Sequence, residues 1–95
     1  RTLAVAPLAA AVRDVLARHR PDIALVEGAG GWLCPLNDRE TLADLASALG
    51  ADVVLVAGLR LGCLNHSLLT AAAVHGAGLR LVAWAGNAID PAMPV

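Results

Sequence analysis

Along this chain, stretches with apolar residues at helical spacing alternate with short runs that are continuously apolar. From Pro7 the apolar residues recur every three or four positions, and arginines take the opposite face until Pro21 ends the pattern. Residues 23–26 then form a continuous apolar run, which is typical of a strand buried on both faces. The pattern predicts a helix near residues 7–19 and a strand near residues 22–27.

Two further helix–strand pairs follow the same plan. Asn37 can cap the second helix, with Glu40 three residues on as in a capping box, and Gly50 suits the left-handed position after its end. Asn65 can cap the third helix. The predicted elements are helices near residues 38–49 and 65–76 and strands near 52–58 and 79–86. The inner face of the third helix is predicted at Leu68, Leu69, Ala72 and Ala73.

The resulting order is helix, strand, helix, strand, helix, strand. Strands without polar alternation that are separated by helices indicate parallel pairing through right-handed crossovers. The predicted fold class is therefore α/β, a parallel sheet with flanking helices of the Rossmann-like kind. Because complete doubly wound sheets have about five strands or more, we expect residues 1–95 to form a single partial domain.

The composition argues against two kinds of partner, a membrane and a nucleic acid. The chain is 58% hydrophobic with a mean hydropathy of +0.67, but its longest apolar run, residues 53–57, is far too short to span a membrane. No secretory leader is visible, so we expect a soluble, cytoplasmic protein without a membrane partner. The net charge is -1 and the seven basic residues are scattered, which argues against a nucleic-acid partner.

The cysteines do not indicate a metal site or a disulfide. Cys34 and Cys63 lack the CxxC spacing of zinc ligands and are expected to be free thiols in a reducing compartment. His66 follows Cys63 closely, but no third residue that would orient a nucleophilic pair is evident. Nucleophilic catalysis by this pair is therefore disfavoured.

The candidate chemistry lies after the strands, because ligands of parallel sheets bind outside the carboxyl ends of the strands. Glu27 ends the first strand and precedes Gly28, Ala29 and Gly30. An acid at this place is costly to desolvate unless it meets a cation or hydrogen-bond donors. Two interpretations stay open: a carboxylate that caps nearby amides, and one that holds Mg²⁺ beside nucleotide phosphates.

The other two strands are followed by a loop and by a lone amide. Residues 62–66 lead into the third helix, whose N-terminus offers free N–H groups to a carboxylate, although Asn65 can instead serve only as its cap. Asn87 follows the last strand and can pair with the edge of an adenine, or play a structural role in a turn.

Taken together, three segments resemble the dethiobiotin synthetase family. They are Val26-Glu27-Gly28-Ala29-Gly30-Gly31-Trp32, Leu61-Gly62-Cys63-Leu64-Asn65-His66 with Leu69-Thr70-Ala71, and Trp84 with Asn87. The resemblance runs from about Asp22 to Pro91, and the Gly-Cys-Leu-Asn-His segment is what separates this family from related synthases. It implies a homodimeric P-loop-NTPase-like enzyme that uses ATP and Mg²⁺ to form a cyclic urea from 7,8-diaminononanoate and CO₂.

The resemblance also implies roles for particular residues. Glu27 would bind Mg²⁺, and Glu27, Gly28, Ala29 and Gly30 would line the phosphates. Gly62, Cys63, Leu64 and Asn65 would receive the substrate carboxylate across a dimer interface. Asn87 and Ala88 would contact adenine, although the family often has an acid where Ala88 stands.

The family's P-loop and its catalytic lysine belong before Arg1, and this chain contains no lysine. We therefore expect no catalytic residue within the chain and no activity of the chain by itself. Two other classes stay open: the synthase domain of a cobyrinate-type amidotransferase, which would use a larger acid, and a non-catalytic α/β interaction module, which the lack of lysine would suit.

Overall fold

A computed structural model describes residues 3–28 and 30–88 of the chain. The elements in order are α1 (Val5–His19), α2 (Leu42–Leu49), β1 (Val53–Gly58), α3 (Cys63–Gly76) and β2 (Leu81–Asn87). They fall into two compact units, Arg1–Gly50 and Ala51–Val95. The α/β class is confirmed. In the part that the structure describes, no helix is long and apolar enough to cross a membrane.

In the first unit, α1 and α2 lie side by side and point in the same direction. The carboxylate of Glu40, just before α2, accepts a hydrogen bond from the Val5 amide at 3.0 Å, and the Arg13 guanidinium donates to the carbonyl of Ala48. Both bonds join residues 35 apart in sequence, which requires a parallel arrangement. The core beneath consists of Val5, Ala9 and Leu45, with Leu8, Leu36, Leu42 and Leu49 packed around it.

The second helix begins later than predicted. Asn37 and Glu40 do bond to each other, through Nδ2 and Oε1 at 2.8 Å, but they form a turn ahead of the helix. The helix starts after Thr41, whose amide donates to the Asp44 carboxylate at 2.8 Å. Glu40 is not a cap for α2, because its carboxylate is already committed to the first amide of α1.

The predicted strand near residues 22–27 is wrong. Residues 23–28 are irregular and exposed, and Leu25 keeps 90% of its surface in contact with solvent. A strand needs a neighbour for its N–H and C=O groups, and the described part of the first unit contains no strand that could pair with it. The apolar run indicated burial, but it could not indicate a partner.

The second unit is a parallel β–α–β crossover, as predicted. Val54 pairs with Ala83 and Gly58 with Asn87, while an irregularity after Val53 shifts the register there. At the amino ends, Arg80 donates to Asp52 at 2.8 Å, which lowers the pKa of the carboxyl below its ordinary value. The resulting stabilisation is present above that ordinary pKa and is lost as the pH falls, and exposure keeps it small.

The third helix differs from its prediction in its start and in its inner face. It begins at Cys63, because Gly62 has a φ of 89° and the Cys63 amide closes a turn onto Arg60, so Asn65 is not the cap. Val74 and Cys63 are the buried residues, whereas Leu68 and Leu69 are 72% and 61% exposed. Because α3 is apolar nearly all round, the sequence pattern did not select a face.

The Glu40 bond to α1 is testable. Glu40→Ala should lower the free energy of unfolding by about 1–2 kcal/mol, since the first turn of α1 has no acid of its own and loses an N-terminal acceptor. Asp38→Ala is the matched control, an exposed acid in the same turn, and should stay within about 0.5 kcal/mol of the parent. Urea denaturation measures both, and equal losses would contradict the role given to Glu40.

Candidate functional site

The residues that the sequence singled out belong to two groups. Glu27, Gly28 and Gly30 lie in the first unit, and Ala29 between them is outside the described residues. The substrate group, Gly62 to Asn65, lies in the second unit together with Asn87 and Ala88. Each group has its own local geometry.

The glycine-rich loop is held against the start of α2. The amide of Leu42 donates to the carbonyl of Cys34 at 3.0 Å, and that of Ala43 donates to the carbonyl of Trp32 at 3.0 Å. These are the first two amides of the helix, which would otherwise lack partners. The α2 N-terminus is thus occupied by the loop and is not free for an anion.

Two glycines of this loop lie close to neighbouring side chains. A Cβ on Gly28 would lie 3.1 Å from Cδ1 of Leu42. A Cβ on Gly30 would lie 2.9 Å from Sγ of Cys34, and the φ of +95° at Gly30 also disfavours a side chain. The amides of Gly28, Gly30 and Gly31 donate to no described residue. The described glycines of the loop therefore carry amides that are available as donors.

Glu27 precedes this loop and is exposed rather than buried at a strand end. Its carboxylate makes no contact with a cation or a donor among the described residues, so it does not cap neighbouring amides there. That part of the chain also has no group of three or more acid, His or Cys side chains that could hold a metal. One free carboxylate suits Mg²⁺, which is often bound by one or two carboxylates together with substrate phosphates and water.

The start of α3 offers a pair of free amides. Cys63 donates to the carbonyl of Arg60 at 2.9 Å and His66 to that of Gly62 at 3.0 Å. Between them, the amides of Leu64 and Asn65 donate to no described residue. Both side chains are exposed, while the Cys63 thiol is free and buried. Adjacent free N–H groups at a helix N-terminus are suited to a carboxylate or a phosphate.

Asn87 is the last residue of β2. Its carbonyl accepts from the Leu59 amide at 2.9 Å, which fixes its backbone next to the loop that leads into α3. Its side chain is exposed and makes no hydrogen bond in the described part of the chain, and Ala88 beside it is also exposed. The parallel sheet thus places Asn87 and the α3 loop at the same edge of the second unit.

A contact that the sequence motifs do not indicate joins Trp84 to Ser67. The indole Nε1 of Trp84, on β2, donates to Oγ of Ser67, on α3, at 3.0 Å. Ser67 is the residue four positions after Cys63 and lies on the same helix face. The signal in the sequence was a serine four residues after Cys63 and seven before Val74, the two residues that α3 buries. A concave feature of the described residues, lined by His75, Gly78, Leu79, Arg80 and Leu81, is at the amino end of β2.

Comparison with known families and proteins agrees with the motifs. The model of the AAA domain family matches residues 4–92. That match confirms the P-loop-NTPase-type α/β class, for which a parallel sheet with flanking helices was predicted.

Curated relatives share more than half of their aligned residues with the chain. A protein of Pseudomonas paraeruginosa strain PA7 is 59% identical over 90 residues, 95% of this chain and 39% of its own length. One of Cellvibrio japonicus is 53% identical over 95 residues, 100% of this chain and 41% of its own. Both are named ATP-dependent dethiobiotin synthetase, which confirms the resemblance that the motifs predicted. The chain spans about two fifths of the length of these relatives.

Proposed function

Because the chain belongs to the AAA domain family, we propose that it is part of an ATP- and Mg²⁺-dependent cyclo-ligase of biotin biosynthesis. The enzyme forms the ureido ring of dethiobiotin from 7,8-diaminononanoate and CO₂, with ATP as the third substrate. Support comes from the dethiobiotin synthetases that resemble the chain over nearly its whole length. The observation that carries the proposal is the pair of free amides at the start of α3, in the segment that distinguishes this family.

The substrate carboxylate binds at Leu64 and Asn65. Free N–H groups and the positive end of the α3 dipole attract an anion, an effect of about 0.3–2 kcal/mol from the dipole alone. Gly62 leaves the approach open, since only the Cε1 atom of His66, 3.8 Å away, lies near the place of its missing Cβ. Cys63 contributes through its buried side chain, which anchors the first turn of the helix.

Phosphate contacts are proposed in the first unit, and adenine contacts are proposed separately in the second. The free amides of Gly28 and Gly30 donate to phosphate oxygens, and Ala29 lies between them in sequence. Glu27 would hold Mg²⁺, and the bound ion would neutralise phosphate charge. Asn87 pairs with the adenine edge and Ala88 lies beside the base. We expect the 95-residue chain by itself to be inactive, because it has neither a lysine nor a GxxxxGK[ST] segment.

The enzyme acts as a cytoplasmic homodimer that pairs through α3. An outer stripe, defined as Leu61, Leu64, Leu68 and Ala72, lies along one side of this helix and its preceding turn, and all four residues are exposed. Leu61 alone is 92% exposed. An apolar stripe of this kind is typical of a helix that packs against another surface. Because Leu64 belongs to both the stripe and the substrate group, pairing places the substrate at the interface.

Glu27 gives the first test, in the complete protein. Glu27→Gln should keep the fold and lower Mg²⁺-dependent ATP turnover by about 100-fold or more, the scale expected when a group that stabilises transferring charge is lost. Asp38→Asn removes another exposed acid and should leave turnover unchanged. Turnover is measured at saturating ATP with Mg²⁺ varied. Unchanged turnover in a folded Glu27→Gln protein would remove the metal role.

Two asparagines give a reciprocal test of the binding sites. Asn65→Glu should raise the KM for diaminononanoate about tenfold and leave that for ATP unchanged, because the added carboxylate competes with the substrate carboxylate for the free backbone amides. Asn87→Ala should do the reverse, because it removes the side-chain amide that pairs with adenine. A substitution at Gly62 is less suitable, because its φ of +89° strains any side chain and disturbs the helix start. Steady-state kinetics on the complete protein measures all four constants.

The alternatives predict different results in the same assay. Failure of the parent protein to use diaminononanoate, together with turnover of a larger acid, would favour the amidotransferase-type synthase. Absence of any ATP turnover would favour the interaction module. Equal losses for both ligands in either variant would assign that asparagine to the fold.

The dimer is tested through the outer stripe. Leu68→Glu should raise the dimer Kd by about 100-fold or more, because a charge would be buried against an apolar partner. Val15→Glu is the control, since Val15 is an exposed apolar residue on α1 outside the stripe. Sedimentation velocity over a concentration series gives both values, and a Leu68→Glu protein that dimerises like the control would place the interface elsewhere.

A further inference from the structure

The indole of Trp84 connects the two functional segments of the second unit. Its Nε1 donates to Oγ of Ser67 at 3.0 Å, a bond between residues 17 apart in sequence. Trp84 is three residues before Asn87 on β2, and Ser67 is two residues after Asn65 on α3. The bond therefore joins the strand that presents the proposed adenine ligand to the helix that presents the proposed carboxylate ligands.

The indole ring also fixes the backbone that leads to Asn87. A Cβ on Gly86 would lie 2.9 Å from Cη2 and 3.1 Å from Cζ3 of Trp84, and 2.9 Å from Cδ2 of Leu59. The ring and Leu59 thus pack directly on Gly86. Leu59 in turn donates its amide to the carbonyl of Asn87 at 2.9 Å. The end of β2 is held both by the packing of the ring and by a backbone bond.

The helix side of the contact is equally specific. Ser67 is one turn after Cys63, whose buried side chain and bond to Arg60 set the start of α3. A displacement of Ser67 would therefore carry the first turn with it, because the helix is rigid over one turn. The indole is half exposed, at 46%, and its bond to Ser67 adds a restraint to the packing of the ring on Gly86.

We propose that Trp84 is a positioning residue for the reaction: through Ser67 it fixes the distance between the nucleotide site at Asn87 and the carboxylate site at Leu64 and Asn65. The proposal rests on the proposed function. It implies that loss of the bond leaves each binding site intact but misplaces one ligand relative to the other. We expect kcat to fall while both KM values stay nearly unchanged, because a misplacement of about 1 Å can lower the rate up to about 100-fold.

The experiment uses the complete protein and compares Ser67→Ala with Trp84→Phe. Each should lower kcat about tenfold, with both KM values changed less than about threefold, and the double variant should lose no more than either single one. Ser67→Thr keeps the hydroxyl and should restore most of the rate. Thr70→Ala is the matched control, since it removes a hydroxyl from the same helix without touching the indole bond.

An NMR measurement separates positioning from a loss of folded protein. The indole N–H resonance of Trp84 is identified by its loss in Trp84→Phe, and in Ser67→Ala it should shift and exchange with solvent faster, while the other amide signals of the fold persist. If the parent protein is active and Ser67→Ala keeps its full rate, the positioning role is overturned and the proposed function stands. If the parent protein forms no dethiobiotin, both proposals fall.

Discussion

Parallel pairing of β1 with β2 is the constraint that determines how the strands, helix and loops of the second unit are arranged. Parallel strands cannot be joined by a tight turn, so the chain must cross over through α3. The crossover brings the residues after both strands to the same edge, where the Leu59 amide bonds to the carbonyl of Asn87. The same geometry starts α3 at this edge and leaves the amides of Leu64 and Asn65 available there.

The sequence predicted most elements because their signals were local. Gly50 ends α2 in the left-handed conformation, with a φ of 62°, and the two runs of the second unit became strands in parallel, as expected. Where the prediction was wrong, the structure depended on the presence or absence of a partner distant in sequence. Glu40 is bonded to the amide of Val5, 35 residues earlier, and residues 23–26 have an apolar composition that fits a strand but no described neighbour in their unit.

The α3 helix shows why an apolar pattern alone does not assign a face. Leucines and alanines surround the helix, so no amphipathic stripe distinguishes the inner side. Ser67, a polar residue, lies on the helix face that buries Cys63 and Val74, where it accepts a hydrogen bond from the indole of Trp84, and Leu68 is left exposed beside it. The exposed leucines and the hydrogen-bonded serine both follow from the rotation of the helix that buries Cys63 and Val74.

The glycines of the candidate site lack a side chain, and this property serves both the fold and the binding of the ligand. Gly28 lets the loop approach Leu42 closely, and the loop carbonyls then occupy the first amides of α2. That use directs the carbonyl groups toward the helix and leaves the amides of Gly28 and Gly30 without partners in the described chain. Gly62 acts similarly, because its positive φ starts α3 early enough to leave the amides of Leu64 and Asn65 free. In both loops, carbonyl groups accept hydrogen bonds from a helix, and the same arrangement leaves other backbone amides available as donors.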